Sequence, residues 1–295
     1  MLRPRHVVLL CLAACNETHG GQQPIGGAVD TEAEIQRYLR HAYLDLNGRA
    51  PTDQELASST SRLQAAGNTA VARGELVGEL LDTSEFATVW IEELENSIFG
   101  GNTLEEQYGV VCGIIRGTDP ACLSCTEVDP CACQCPTLAV YDVERANLRL
   151  TPIEFADGEP SSALERRYAA AAGYFVLTGS PEARVRTLFD DFMSRPAEAD
   201  EVENGRAMIF GALLPESPAG LLFHRYGASY ADLVDIVFGS EIYRESLVRR
   251  VFERYLARSA APLELAHFTS TLDATDPDLR DIVRAVVSSR EYFEQ

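Results

Sequence analysis

Six cysteines, Cys112, Cys122, Cys125, Cys131, Cys133 and Cys135, fall within 24 consecutive residues, and only Cys11 and Cys15 lie elsewhere. In an exported protein an even count at that density predicts three disulfides. Six cysteines allow 15 pairings, and spacing does not choose among them. Two other chemistries use the same residues. Cys122-Leu123-Ser124-Cys125 has the redox C-x-x-C spacing, but no thioredoxin-like strand and helix pattern surrounds it. Cys122, Cys125, Cys131 and Cys133 could offer four thiolates to zinc, although an oxidising compartment favours disulfides. Covalent c-type haem needs His after the second cysteine, and Thr126 stands there.

Other reactive groups are scattered. No G-x-S-x-G, H-E-x-x-H, P-loop or G-x-G-x-x-G run occurs. His19, His41, His224 and His267 are each isolated. With 45 acidic side chains, some carboxylate pair can always be nominated as acid and base, so abundance singles out none. Asp45-Leu46-Asn47-Gly48 with Asp53 has the outline of a calcium loop, but Arg49 stands at the fifth position and Leu56 at the twelfth, where oxygen ligands belong. Trp90 follows Phe86 by one helical turn and reads as core. No catalytic residue, metal or cofactor is expected. The net charge of −20 repels nucleic acid and anionic lipid heads.

Cys15 has a different setting. Met1-Leu2-Arg3-Pro4-Arg5-His6 forms a positive n-region, and Val7 to Ala14 is almost purely apolar. That run is too short to span a bilayer and matches the h-region of a secretory signal. It ends in Leu12-Ala13-Ala14-Cys15, which resembles the lipobox of bacterial lipoproteins. The resemblance implies cleavage before Cys15, lipid on its sulfur and tethering to a membrane. Asn16, rather than Asp, implies the outer membrane. Loss of Arg3 and Arg5 with residues 1–14 would take the charge to −22.

The elements that carry these residues read as helices. After a Gly-rich tether over 15–30, Thr31-x-x-Glu34 and Thr52-x-x-Glu55 form capping boxes. Ile35, Leu39, Ala42, Tyr43 and Leu46 share one helix face. Further helices are expected over about 69–82 and 84–98. Residues 99–160 lose the period and read as an irregular, disulfide-rich insertion, with Leu138-Ala139-Val140-Tyr141 as a candidate strand. Helical pattern returns at Ser162-x-x-Glu165 and continues to the end.

A repeat runs through the helical parts. Tyr43 to Arg49, Phe189 to Arg195 and Phe252 to Arg258 each place an aromatic six residues before an arginine and an apolar residue three before it. Leu56, Val202 and Leu265 lie seven residues after the three arginines. Hydroxyl–aromatic pairs follow at Thr83 and Phe86, Ser240 and Tyr243, and Ser289 and Tyr292. The arginine is expected near a helix C-terminus, bonding the last carbonyls, and the hydroxyl is expected to end one helix or cap the next. The expected organisation is a signal over 1–14, a tether over 15–30, repeats over 31–98, 161–245 and 246–295, and the cysteine insertion over 99–160.

The run Leu44-Asp45-Leu46-Asn47-Gly48-Arg49-Ala50-Pro51-Thr52 resembles the "LDLTGRxPT" signature of a domain of unknown function in secreted planctomycete and myxobacterial proteins, often found beside c-type cytochrome modules. The later units, with Ser289-Arg290-Glu291-Tyr292 and Ser240-Glu241-Ile242-Tyr243, resemble small helical repeats of bacterial surface proteins related to phycobilisome linkers. Neither resemblance implies catalytic residues. The expectation is an all-α fold of helical hairpin repeats, anchored in the cell envelope, acting without catalysis as a scaffold or binding module for another envelope or surface protein. An accessory subunit of an exported redox or hydrolytic system and an enzyme with an unrecognised site are the alternatives.

Overall fold

A computed structural model describes residues 30–133, 135–210 and 220–295. The signal, the lipobox with Cys15 and nearly all of the tether lie outside them. The described chain is overwhelmingly helical. In chain order the helices are α1 (Glu32–Asn47), α2 (Asp53–Ala65), α3 (Ala70–Leu81), α4 (Ser84–Ile98), α5 (Leu104–Thr118), α6 (Pro136–Leu148), α7 (Thr151–Ala156), α8 (Ser161–Ala170), α9 (Ala172–Leu177), α10 (Pro181–Met193), α11 (Ala199–Phe210), α12 (Tyr230–Phe238), α13 (Glu241–Leu256), α14 (Pro262–Thr271), α15 (Leu279–Val287) and α16 (Arg290–Phe293). The all-α expectation holds, with one small addition: β1 (Gly220–Leu222) and β2 (Arg225–Gly227) pair antiparallel, Leu221 opposite Tyr226. Phe223 and His224 turn that hairpin with φ of 49° and 62°. Left-handed residues at both central positions match the twist of a tight hairpin.

The helices form two compact units. One comprises residues 30–89, 248–272 and 278–295 of the described chain. Here α1 packs on α2 and α3, and α15 packs on α3. Leu39, Leu46, Leu63, Val77, Phe252 and Val283 are fully or almost fully buried at its centre. Both N-terminal capping boxes are present: Thr31 with Glu34, and Thr52 with Glu55. Gly48 ends α1 at φ 67°, and a Cβ there would meet Val89 Cγ2 at 2.9 Å, so glycine is needed both for the turn and for the space. Arg73 is buried in this unit, donating Nε to the Ser288 carbonyl at 2.9 Å and Nη1 to that of Asn68. Backbone oxygens thus satisfy a cation that burial disfavours.

The other unit comprises residues 90–247 and 273–277. Leu164, Leu188, Phe189, Phe192, Val237 and Phe238 form its centre. Trp90 is buried there, its ring 4.3 Å from that of Phe155. Two expectations are corrected in this unit. Leu138 to Tyr141 lies inside α6 and is not a strand. Pro136 occupies the first turn of that helix, where its missing N–H costs nothing, and only Leu138 of the apolar run turns inward. The period from 99 to 160 is hidden rather than absent, because α5, α6 and α7 all carry apolar residues on their exposed faces as well. Helix α8 begins at Ser161, one residue before the position where the helical pattern returns. Glu165 is buried and accepts a hydrogen bond from the Tyr243 hydroxyl at 3.0 Å.

Candidate interaction surface

The three repeat arginines occupy the same place in three copies of one motif. Arg49, Arg195 and Arg258 each follow a residue in the left-handed conformation, Gly48 (φ 67°), Ser194 (51°) and Ala257 (50°). That reversal sends the guanidinium forward, away from the last helical carbonyls where it was expected. It grips a glutamate six residues on with both Nη atoms: Glu55 at 2.9 and 2.8 Å, Glu201 at 2.8 and 2.6 Å, and Glu264 at 2.8 and 2.8 Å. Nη1 also donates to the carbonyl of the next residue, Ala50, Pro196 or Ser259. The guanidinium lies 5.7, 5.1 and 5.1 Å from the ring six residues back, Tyr43, Phe189 and Phe252. Each glutamate in turn accepts from a backbone N–H at the start of its helix, Thr52, Glu198 or Ala261.

The clasp therefore ties a helix end to the next helix start through one planar fork, a task that suits arginine rather than a point charge. Sequence reading found the arginines but missed the glutamates. The signal was present as Glu at a constant six-residue offset, one position before the aliphatic residue that had been aligned. The hydroxyls act as helix caps: Thr83, Ser240 and Ser289 accept from the N–H of Phe86, Tyr243 and Tyr292. Two residues after the hydroxyl, Glu85 and Glu291 bring a second carboxylate to Arg49 and Arg258, at 2.8 and 2.5 Å from Nε. Ile242 takes that position in the remaining copy. Hydrogen bonds from Arg49, and then from the Thr52 backbone, hold the Glu55 carboxyl down at about 2.

Buried tyrosines pair with carboxylates across both units. Tyr108 donates to Glu144 at 2.6 Å, Tyr168 to Glu95 at 2.6 Å and Tyr174 to Asp191 at 2.9 Å. Burial pushes Asp191 up to about 6 against the favourable Tyr174 bond, and it pushes Glu95 upward as well. In the first unit Tyr292 donates to Asp45 Oδ2 at 2.7 Å, and His41 Nε2 lies 3.3 Å from the same oxygen. A shallow notch of about 250 Å³ there is lined by Arg37, Tyr38, His41, Tyr292, Phe293 and Gln295. Asp45 is thus engaged by a phenol and an imidazole, and Arg49 by glutamates, so the outlined calcium loop is held as ion pairs and hydrogen bonds.

The six cysteines lie together and pair as Cys112–Cys131, Cys122–Cys135 and Cys125–Cys133, with Cα atoms 5.1, 5.4 and 5.7 Å apart. Two Asp-Pro turns set the register. Asp119 and Asp129 each accept from the N–H two residues on, placing Cys122 and Cys131 on short 3-10 turns. The first disulfide pins the loop to α5, and the second pins it to the start of α6. The Sγ atoms of Cys125, Cys133 and Cys135 lie within 4.8 Å of one another, the one group among the described residues with the donor set for a metal. All three are spent in disulfides, which leaves no thiolate for zinc while they persist.

This stapled segment carries most of the exposed apolar side chains. Of fourteen large apolar residues standing exposed among the described residues, eight lie between Val110 and Ile153. Along α6 and α7 they fall into line. Ala139, Val143, Ala146, Leu150 and Ile153 are all exposed and spaced by four, three, four and three residues. Arg149 and Leu150 join the two helices with right-handed helical dihedrals, the Leu150 N–H reaching back three residues to Asn147 and Pro152 offering no donor, so the row passes over a tightened turn. The opposite face, Leu138, Leu148 and Phe155, is buried. An amphipathic helix buries one stripe and leaves charges outside. Here the outward stripe is apolar too, a row at heptad-like spacing along two successive helices, with nothing among the described residues packed on it.

Arg145 and Arg149 are withdrawn from that seam. Arg145 is buried and bonded to Asp129 and Asp142, and Arg149 bonds Glu105 through Nε and Nη2. Compared with known protein families, with curated proteins and with solved structures, the chain matches none.

Proposed function

We propose that the protein is a lipid-anchored envelope protein whose folded body is a protein-binding module working without catalysis. The observation that carries this reading is the exposed seam Ala139, Val143, Ala146, Leu150 and Ile153. Apolar side chains scattered singly on a surface need no explanation, whereas a contiguous row at heptad spacing is a contact surface awaiting a partner. The disulfides fasten the preceding loop to α5 and to the start of α6, which suits an oxidising compartment, while Leu138, Leu148 and Phe155 seat the opposite face in the core. The lipobox residues Leu12-Ala13-Ala14-Cys15, with Asn16 after them, supply the anchor, the membrane attachment and an outer-membrane address.

The test places a photoreactive phenylalanine analogue at Val143 in the full-length protein in living cells. A discrete cross-linked envelope protein is expected, absent when the analogue replaces the exposed Glu203 and lost when Leu150→Glu is added. Equal, diffuse labelling at both positions would overturn the reading. Cys15→Ser is expected to release the protein from the membrane fraction, and unchanged fractionation would remove the anchor.

A further inference from the structure

Resting on the reading of the Ala139–Ile153 seam as a docking surface, we propose that its occupant is a basic amphipathic helix of about two heptads. The spacing selects a helix. Residues at four- and three-residue steps fill the holes of a second helix winding along the first, and they do not match the two-residue period of a strand. The side chains set the approach. Ala139 and Ala146 alternate with Val143, Leu150 and Ile153, so large knobs of the partner fit over the alanines while the seam's own large residues enter the partner's holes. Four steps from Ala139 to Ile153 span roughly 20 Å of helix, the length of about 14 residues.

Charge selects the sign of the partner. Asp142 and Glu154 border the seam, and Asp157 and Glu159 follow its end. The nearby arginines are neutralised within the chain: Arg145 by Asp129 and Asp142, Arg149 by Glu105, and Arg167 by Glu154. Counting Glu105 and Asp129 with Asp142, Glu154 and Asp157, five carboxylates stand with three guanidiniums, within a chain of net charge −20. Flanking Arg or Lys on a partner helix would meet a negative rim, which steers encounter and fixes orientation. A second copy of this chain would bring the same negative field, and anionic lipid heads would be repelled likewise.

The experiment uses full-length protein in neutral-lipid nanodiscs and three labelled 16-residue peptides. They share leucines at the seam positions and carry Arg, Gln or Glu at the flanks. Anisotropy titrations at low and physiological salt are expected to rank them basic, neutral, acidic, with about a tenfold preference for basic over acidic at low salt that shrinks as salt rises. Val143→Glu and Leu150→Glu, both exposed and so compatible with an unchanged far-UV spectrum, should each weaken the basic peptide at least tenfold. No ranking, a reversed ranking, or binding of none of the three overturns the inference. So does a dimer by sedimentation that Val143→Glu dissociates, or binding to anionic vesicles in preference to the peptides. If those results come while the cross-link at Val143 persists, the docking surface stands with a different occupant. If the cross-link is missing too, both readings fall.

Discussion

Arg258 grips Glu264, six residues on, through two parallel hydrogen bonds of 2.8 Å, and takes Glu291 on its remaining edge. Arg49 does the same with Glu55 and Glu85. Both carry the first unit's helix junctions, and the 25 basic residues of this chain include no lysine.

Arg→Lys at these positions keeps the charge and loses the fork. Arg49→Lys and Arg258→Lys are each expected to lower stability by about 1–2 kcal/mol, since a single ammonium cannot serve both oxygens of one glutamate and a second carboxylate. Urea denaturation followed by circular dichroism measures it. Changes within experimental error would show that the clasps are surface pairs of the weak kind.

The left-handed residue before each arginine gives an independent handle. Gly48 holds this position in one copy, whereas Ala257 and Ser194 adopt φ of 50° and 51° with a side chain in place. A non-glycine residue in that region is strained, so Ala257→Gly is expected to stabilise by about 0.5–1 kcal/mol, offset in part by the freer unfolded chain. Gly48→Ala is expected to destabilise, because strain and the 2.9 Å approach to Val89 act together. A higher melting temperature for Gly48→Ala would contradict the assignment.

Acid should act on the two units with opposite signs. Glu55 titrates at about 2 in the fold, below its ordinary 4.5, so the clasp's contribution is complete above about pH 4.5 and fades as pH falls toward 2. Asp191 is pushed up to about 6 from 3.8, so its ionisation removes stability as pH rises from about 4 to 6. Asp191→Asn keeps an acceptor for Tyr174 and is expected to gain about 1–2 kcal/mol at pH 7 and little at pH 4. Equal effects at both pH values in chemical denaturation would refute the burial of that charge.

The cysteine segment should be separable from the rest. Peptide mapping without reduction is expected to recover Cys112–Cys131, Cys122–Cys135 and Cys125–Cys133. Replacing Cys112 and Cys131 together by Ala opens a loop of 19 residues and is expected to cost about 3 kcal/mol. Amide exchange should then quicken in α5 and α6 while α1 and α2 stay protected. Loss of protection throughout would mean that the segment is not a local staple.

What the sequence alone determined was local. Capping boxes at Thr31 and Thr52, the stop at Gly48 and the apolar face of α1 depend on neighbours within one turn or two, so their residues announce them. The threefold recurrence of aromatic and arginine was readable for the same reason, being a fixed offset along one chain. Tertiary structure decided what distant residues do to one another. Which cysteine meets which depends on two Asp-Pro turns folding back on α5 and α6. Glu165 marked only the return of a helical pattern, and it is a buried acceptor because Tyr243, 78 residues away, donates to it. Leu138 to Tyr141 looked like a strand because helices that are apolar on two faces lose their period, and only packing shows which face is turned to the core and which is left bare.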